Sequence, residues 1–257
     1  MRRQRLRRIV HVTALRILVL GVVVVIWEMV IRSGISTPFW ISSPLQLTSR
    51  LIGDLASVEI IHHMAVTLYE TFAGFVLGSV LGGASGYILA RRPLLLAAVD
   101  PYLAAIYSLP RVALAPLFIL WFGIGAWSKI ALGVSIVYFI LLMNTYTGVR
   151  NVDADLLNAV RTMGATDRYL TRRIILPSCI PWIFSGMRIG MGMALIGAVV
   201  GEMLAGQHGM GYLLAVASGS FDTTGVFSSL AILAVMAMAI NGIMKACERR
   251  LTRWQGS

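Results

Sequence analysis

Six long apolar segments, separated by more polar ones, constrain this chain of 257 residues more than any other feature. A helix needs about 20 apolar residues to cross the hydrocarbon core of a bilayer. Inside lipid the backbone must satisfy its own hydrogen bonds, which favours helices. The pattern predicts an all-α, polytopic membrane protein whose residues 1–257 form a single transmembrane domain. The six predicted transmembrane helices lie near residues 14–31, 66–90, 100–121, 129–148, 178–203 and 226–247.

The composition excludes other classes of protein. Hydrophobic residues make up 58% of the chain and charged residues 13%, whereas soluble domains carry about 25% charged residues. This excludes an ordinary soluble protein, and the apolar content also excludes intrinsic disorder. The two cysteines, Cys179 and Cys247, permit at most one disulfide and supply no cysteine cluster for a metal.

The basic residues are distributed unevenly between the two sides of the predicted bundle. The chain holds 22 Lys and Arg against 11 acidic residues, a net charge of +11 that in a soluble protein would suggest nucleic-acid binding. If the N-terminus is cytoplasmic, seventeen basic residues lie inside, and only Arg32, Arg50 and Lys129 lie outside. This positive-inside bias predicts that both termini are cytoplasmic and that nucleic acid is not a partner. A cleaved signal peptide is the alternative for the start, but Trp27-Glu28-Met29 lacks the small residues of a cleavage site, and we expect an uncleaved first helix.

Glycines recur every four residues in the second and fifth predicted helices. Such a stripe leaves a groove for a neighbouring backbone. It predicts a tightly packed helical assembly, of which a dimer is one form. The glycines are Gly74, Gly78, Gly82 and Gly86, and then the pairs Gly186/Gly190 and Gly197/Gly201.

Three prolines interrupt the third predicted helix: Pro101, Pro110 and Pro116. Proline frees backbone carbonyls that neighbouring helices or water in a cavity must satisfy. The sequence leaves two interpretations open, a kinked helix that lines a translocation path and a kinked helix that only packs.

The segment 149–177 is the longest one on the predicted cytoplasmic side. Asp153 is a fair N-cap, and Gly164 stands where a helix C-terminus favours a residue with positive φ. Thr166 or Asp167 can cap a second short helix, which we expect to end before Pro177. The first helix has an apolar face that favours a protein partner, although it could also pack on the membrane surface or on the bundle itself. That face consists of Leu156, Leu157, Val160 and Met163.

The spacing of this segment resembles the coupling-loop motif of importer-type ABC transporter permeases. That motif is Glu-Ala-Ala, three residues, Gly, nine residues, and Ile-x-Leu-Pro. The departures are Asn158 for the glutamate and Val160 for the second alanine. The matching residues, which the resemblance implies contact the ATPase, are Asn158, Ala159, Val160, Gly164, Ile174, Leu176 and Pro177.

Further stretches are similar to the nitrate/sulfonate/taurine permeases, namely 108–117, 120–125, 148–153 and 209–213. The resemblance implies the type I ABC importer permease fold with six helices, in a bacterial inner membrane. The implied partners are a second copy of the chain, two cytoplasmic ATP-binding subunits, an external solute-binding protein and membrane lipid. It also implies a small, anionic solute.

The chain has no phosphate-binding loop of the Gly-x4-Gly-Lys-Ser/Thr type, since residues 123–129 lack the second glycine. We therefore expect no catalytic residue and no bound cofactor or metal, with ATP and Mg on the partner ATPase. A carrier or channel that works without an ATPase is the alternative.

Charges within membrane spans are costly and are candidates for function. Arg111, Arg188 and Glu202 are therefore candidate residues of the solute pathway. The alternatives are an internal ion pair, for example Arg188 with Glu70, or an interfacial position.

Two further chemistries can be considered and are disfavoured. Gly83-Ala84-Ser85-Gly86 matches a motif of intramembrane serine proteases, which need a histidine base. None of His11, His62, His63 and His208 lies within a predicted span. The pair His62-His63 has no further ligand at helical spacing, so we expect a solvated pair rather than a metal site.

Overall fold

The structure is a computed structural model that describes residues 2–34, 37 and 39–251. The described residues form helices, turns and loops only. A 3-10 turn, Arg111–Leu114, precedes α5, and a π turn, Thr171–Ile175, joins α8 to α9. The helices are α1 (Arg2–Arg32), α2 (Pro44–Ala56), α3 (Val58–Arg91), α4 (Pro93–Tyr107), α5 (Ala115–Phe122), α6 (Ala126–Arg150), α7 (Ala154–Thr162), α8 (Asp167–Leu170), α9 (Leu176–Ala205), α10 (Met210–Gly219) and α11 (Thr223–Leu251).

All six predicted apolar segments are helical, so the all-α prediction is confirmed. Five are long, apolar helices of membrane-spanning length, and the sixth is a bent pair. The third segment is not one kinked helix, because α4 and the stretch Arg111–Phe122 meet at 86°. Pro110 has no amide hydrogen to donate and restricts Leu109 to extended backbone, so the helix breaks there. Pro101 is tolerated inside α4, and Pro116 occupies the first turn of α5.

The chain divides into two compact units, so the single domain remains a prediction. The first unit comprises Met1–Ile61 and Leu214–Ile232. Within it the Ser228 hydroxyl donates to Asp54 at 2.5 Å, and Arg50 forms an ion pair with Asp54. The Trp27 and Phe227 rings also pack together, with centroids 5.7 Å apart.

The second unit comprises His62–Leu213 and Leu233–Ser257, and α6 packs against both α3 and α9 in it. Gly133 of α6 lies between the glycines of both neighbours. A Cβ built on Gly74 would lie 3.3 Å from the Gly133 Cα, and one on Gly197 would lie 3.2 Å from it. The glycine stripes therefore pack against a neighbouring backbone, as the sequence predicts.

The second short helix in the segment 149–177 is α8, which ends at Leu170, before Pro177 as predicted. The chain nevertheless stays helical after it, because the π turn joins α8 to α9 in one run over Asp167–Ala205. Pro177 lies in the first turn of α9, where its missing amide hydrogen is tolerated, and the wider π turn precedes it.

Candidate functional site

Local side-chain and backbone caps define the α7 turn. The Asp153 carboxylate caps α7 by accepting from the amide of Asp155 at 2.8 Å. Gly164 has φ +84°, and its amide donates to the Arg161 carbonyl while the Ala165 amide donates to the Val160 carbonyl. This is the hydrogen-bond pattern of a Schellman C-cap. Asp153 and Gly164 thus have the roles that the sequence predicts.

Of the two candidate caps for the second helix, the structure selects Thr166. Its hydroxyl accepts from the Tyr169 amide at 3.3 Å.

The apolar face of α7 divides between the bundle and the exterior. Leu157 packs against the core cluster that contains Ile175 and Cys179. Met163 is 85% exposed and Leu156 is also exposed. An open cavity of about 440 Å³ lies against the α7 turn, and it is lined by Val160, Met163, Gly164, Ala165, Thr166 and Tyr169. One side of the face thus anchors the segment, and the other is available to a partner.

The motif residues differ in exposure. Asn158, Ala159 and Leu176 are exposed, whereas Val160, Ile174 and Pro177 are half-buried.

Ion pairs connect this segment to the end of α3. The Asp167 carboxylate lies 3.7 Å from the Arg91 guanidinium and 3.5 Å from that of Arg161. The hydroxyl groups of Tyr87 and Thr171 are 3.2 Å apart. The segment 149–177 is therefore attached to α3 as well as to α9.

Arg111 lies directly after the break in the third span. Its Nη1 donates to the Ser135 carbonyl at 2.5 Å, and its Cζ lies 3.9 Å from the centroid of the Phe139 ring. Its Nη2 is buried and has no hydrogen-bond partner among the described residues. Arg111 thus lines a cavity between the break after α4, α6 and α9, and its Nη2 has no acceptor among the described residues.

Arg188 forms an internal ion pair, but not with Glu70. Its guanidinium contacts the carboxylate of Glu248 on α11. The two residues bring α9 and α11 together, so the sequence example of an Arg188–Glu70 pair is wrong. The alternative that motivated it, an internal ion pair, is what the structure shows at Arg188.

Glu202 is buried, with 1% of its surface exposed, and caps the N-terminus of α10. The amide of Gly211 donates to Glu202 Oε2 at 2.7 Å. The two preceding amides, of Met210 and Gly209, donate to Thr67 Oγ1 at 2.8 Å and to His63 Nδ1 at 2.9 Å. Three side chains from α3 and α9 therefore accept hydrogen bonds from three successive backbone amides.

Two charged residues near Glu202 were not among the predicted site residues. Glu70 is buried, and its Oε2, like Oε1 of Glu202, has no hydrogen-bond partner among the described residues. Lys129, which sequence analysis assigns to an outside segment, is buried in the first turn of α6, where its ammonium donates to the carbonyls of Ile124 and Gly125. Glu70 could have been found from the sequence, because it is a charged residue inside a predicted span. Lys129 lies at the end of a predicted span, where a charged residue looks like part of a loop.

The three predicted pathway residues thus have different surroundings. Arg111 lies beside Phe139, Arg188 pairs with Glu248, and Glu202 caps α10. The structure does not bring them together around one cavity.

The histidines differ from the prediction of a solvated pair outside the spans. His62 and His63 lie in the first turns of α3, and His63 is buried beneath the Gly209 turn. The ring of His208 lies 5.3 Å from that of His62 between centroids. Among the described residues, no group of three His, Cys, Asp or Glu residues has a geometry that could hold a metal ion.

The protease interpretation fails on distance. Ser85 is on the same helix as His62 and His63, so more than 20 residues and roughly 33 Å of helix rise separate them. The Ser85 hydroxyl instead donates to the Leu81 carbonyl at 2.8 Å.

Comparison with known proteins places this architecture in a family. Residues 74–253 match the binding-protein-dependent transport system inner membrane component. The chain is 36% identical to the formylaminopyrimidine transport permease protein of Halalkalibacterium halodurans, over 90% of this chain and 92% of that protein. It is 30% identical to a Bacillus subtilis permease named for aliphatic sulfonates, over 92% of this chain and 86% of that protein.

Among solved structures, an inward-facing MetNI methionine ABC transporter matches with a TM-score of 0.66 at 20% identity. The match covers 75% of this chain and 96% of that one, which shows the fold of a type I importer permease. Together with the family match, this fold shows that the chain belongs to the binding-protein-dependent inner membrane components, the multi-pass permease subunits of ABC importers.

Proposed function

We propose that this chain works as a homodimer with two cytoplasmic ATP-binding subunits and an external solute-binding protein, in the inner membrane of a bacterium. The observation that carries the proposal is the α7 turn, where Met163 and Leu156 are exposed around a capped glycine. An exposed apolar surface on a rigid turn fits a protein groove better than it fits water. ATP and Mg would be bound by the partner, and this chain would contribute the docking helix.

The proposed orientation places α7 and both termini in the cytoplasm. The charges support it, because the segments predicted to be inside hold seventeen basic residues and the segments predicted to be outside hold three, including Lys129. In this orientation the Gly209 turn and α10 lie on the outer side, where a binding protein would deliver solute.

In this mechanism, closure of the ATPase dimer moves the docked α7 turn and rocks the bundle between inward- and outward-facing states. Ala159 is exposed and small, which allows the ATPase surface to approach α7 closely. Gly164 sets the direction in which α7 projects, because its φ of +84° reverses the chain. Asn158, Val160, Ile174, Leu176 and Pro177 complete the proposed coupling segment.

The experiment that tests this proposal is co-purification in mild detergent, with subunits identified and quantified by mass spectrometry. We expect one ATPase per permease, and about tenfold less ATPase with Gly164→Val, since a β-branched residue does not adopt positive φ. Gly242→Val is the matched control, because a Cβ there meets nothing within 4 Å. Undiminished ATPase in the Gly164 variant would reject the docking assignment. A clean homo-oligomer without any ATPase would favour a carrier.

For the solute, we propose a small molecule with an anionic or hydrogen-bond-accepting group that Arg111 can contact. The two relatives are named for solutes of different kinds, one a heteroaromatic ring and one an aliphatic anion. Arg111 retains an unpaired donor, which supports contact with an acceptor. Arg188 and Glu202, the other two candidate pathway residues, each already have a protein partner, so we propose that they support the structure around the pathway rather than contact the solute.

A further inference from the structure

Two neighbouring cavities lie on either side of one aromatic pair in the second unit. A cavity of about 230 Å³ is lined by Asp100, Leu103, Tyr107, Phe139, Met143 and Tyr146, with further apolar residues. A second cavity of about 340 Å³ shares Tyr107 and Phe139 and adds Arg111. The rings of Tyr107 and Phe139 therefore form a common wall, with centroids 6.1 Å apart and planes at 52°.

The cationic group in this wall is directed by its aromatic neighbours. The Arg111 Cζ lies 3.9 Å from the Phe139 centroid and 5.5 Å from that of Tyr107, which is the range of a cation–π interaction. Nη1 is bound to the Ser135 carbonyl, and the buried Nη2 has no partner among the described residues. The guanidinium is therefore held beside two aromatic faces while N–H groups on Nη2 have no acceptor among the described residues.

The position of this wall in the span argues against lipid as its neighbour. Asp100 and Tyr107 are seven residues apart on α4, so they share a helix face, and both are exposed in the single chain. A carboxylate within a span faces protein or water rather than lipid tails. The break at 108–110 also exposes backbone groups, and discontinuous helices mark solute sites in membrane transporters.

We infer that Tyr107, Phe139 and Arg111 form a subsite for the transported solute and that this solute contains a planar aromatic ring with a hydrogen-bond-accepting or anionic group. The inference rests on the proposed transport function and names the solute class. The ring stacks on the exposed Tyr107, with Phe139 packed behind it, and the acceptor binds the guanidinium of Arg111 where this side chain lines the cavity. Asp100 lines the cavity on the other side of the aromatic pair and disfavours solutes with more than one negative charge.

The geometry favours this class over an aliphatic anion. A site that selects a small anion needs several convergent donors, as in paired or bidentate recognition. Here Arg111 is the one basic side chain among the residues that line the two cavities, and the remaining surface is mostly aromatic and aliphatic. Most of the contact area is thus suited to a flat ring.

The test is saturation-transfer NMR on the full chain in lipid nanodiscs, with empty nanodiscs as the blank. The probes are benzenesulfonate, methanesulfonate and 4-aminopyrimidine. The first has an aromatic ring and a negative charge, the second only the charge and the third only the ring, so the contributions of ring and charge to binding can be compared. We expect ring-proton signals from both aromatic probes and a methanesulfonate signal about fivefold weaker. Tyr107→Leu should reduce the aromatic signals about fivefold, and Tyr107→Phe should retain them.

Two controls separate loss of the subsite from loss of the fold. Tyr102→Leu removes another exposed tyrosine of α4 that does not line either cavity, and it should leave the signals unchanged. Phe139→Leu is the second test, with size-exclusion chromatography to show that this buried variant is folded.

Three results would overturn the inference: no aromatic signal in the wild type, an equal signal from methanesulfonate, or aromatic signals that survive both leucine variants. The proposed transport function is tested independently, because co-purification of the ATPase does not depend on Tyr107.

Discussion

The carboxylate of Glu202, near the end of α9, accepts a 2.7 Å hydrogen bond from the amide of Gly211 and thereby caps the N-terminus of α10. Helix N-termini carry unsatisfied amides and partial positive charge, so a carboxylate is well suited to cap one. This cap comes from another helix rather than from the residue that precedes α10. Thr67 and His63 supply the caps for the two amides before it.

Removal of the Glu202 side chain should destabilise the protein. Glu202→Ala leaves the buried Gly211 amide without an acceptor, at a cost of about 1–3 kcal/mol. Glu202→Gln keeps an acceptor oxygen and should cost less. The measurement is the midpoint of thermal unfolding in detergent, with Asp155→Ala as a control that removes an exposed carboxylate. Equal midpoints for the alanine variant and the wild type would show that the cap contributes nothing.

Gly82 and Gly83 form a matched pair for testing the α3–α6 contact. A Cβ on Gly82 would overlap the Tyr138 carbonyl, whereas one on Gly83 would meet only Thr145 Oγ1, at 3.8 Å. We expect Gly82→Ala to destabilise by about 1–3 kcal/mol, because backbone atoms must move apart. Gly83→Ala should be neutral or stabilising, since alanine favours helix. Thermal unfolding of both variants checks this, and the reverse order would contradict the packing.

Gly209 should not tolerate a side chain. It has φ +106°, and a Cβ there would overlap the Glu202 carboxyl group. Gly209→Ala should therefore reduce the yield of monodisperse protein in size-exclusion chromatography. Gly219→Ala, at the other end of α10, is the control, because a Cβ atom added there has no neighbour within 4 Å. If the two variants gave the same yield, the description of the Gly209 turn would be incorrect.

The ion pair of Arg188 and Glu248 should be structural and not required for solute passage. Both residues are partly exposed, so the pair contributes at most about 1 kcal/mol. The double variant Arg188→Gln with Glu248→Gln removes both charges together and should transport solute at the wild-type rate. Uptake in whole cells measures this. A double variant that is stable but inactive would assign Arg188 to the pathway.

Local features of the fold could be predicted from sequence, and long-range ones could not. Asp153 and Gly164 act on neighbours within a few residues, so their capping roles are visible in the sequence alone. The glycine stripe of α3 was recognisable for the same reason, although its partner, α6, was not. Pro110 indicated a disturbance, but the angle between α4 and α5 depends on packing.

The N-terminus of α10 shows why the rest was missed. This short helix has too few apolar residues to span a membrane, and its caps come from Thr67 and His63, more than 140 residues earlier. The burial of Lys129 was not predicted, because its acceptors, the carbonyls of Ile124 and Gly125, depend on the turn after α5. Side chains that satisfy distant backbone groups leave no periodic pattern.

The π turn at Thr171–Ile175 has a mechanical consequence. Because the chain stays helical through it, Asp167–Ala205 is a single element of 39 residues, about 58 Å long. Its first residue is tied to Arg91, and Glu202, near its last turn, holds the N-terminus of α10. A displacement at one end of this element is transmitted to the α10 turn without passing through a loop. One continuous helical element therefore connects the two faces of the bundle.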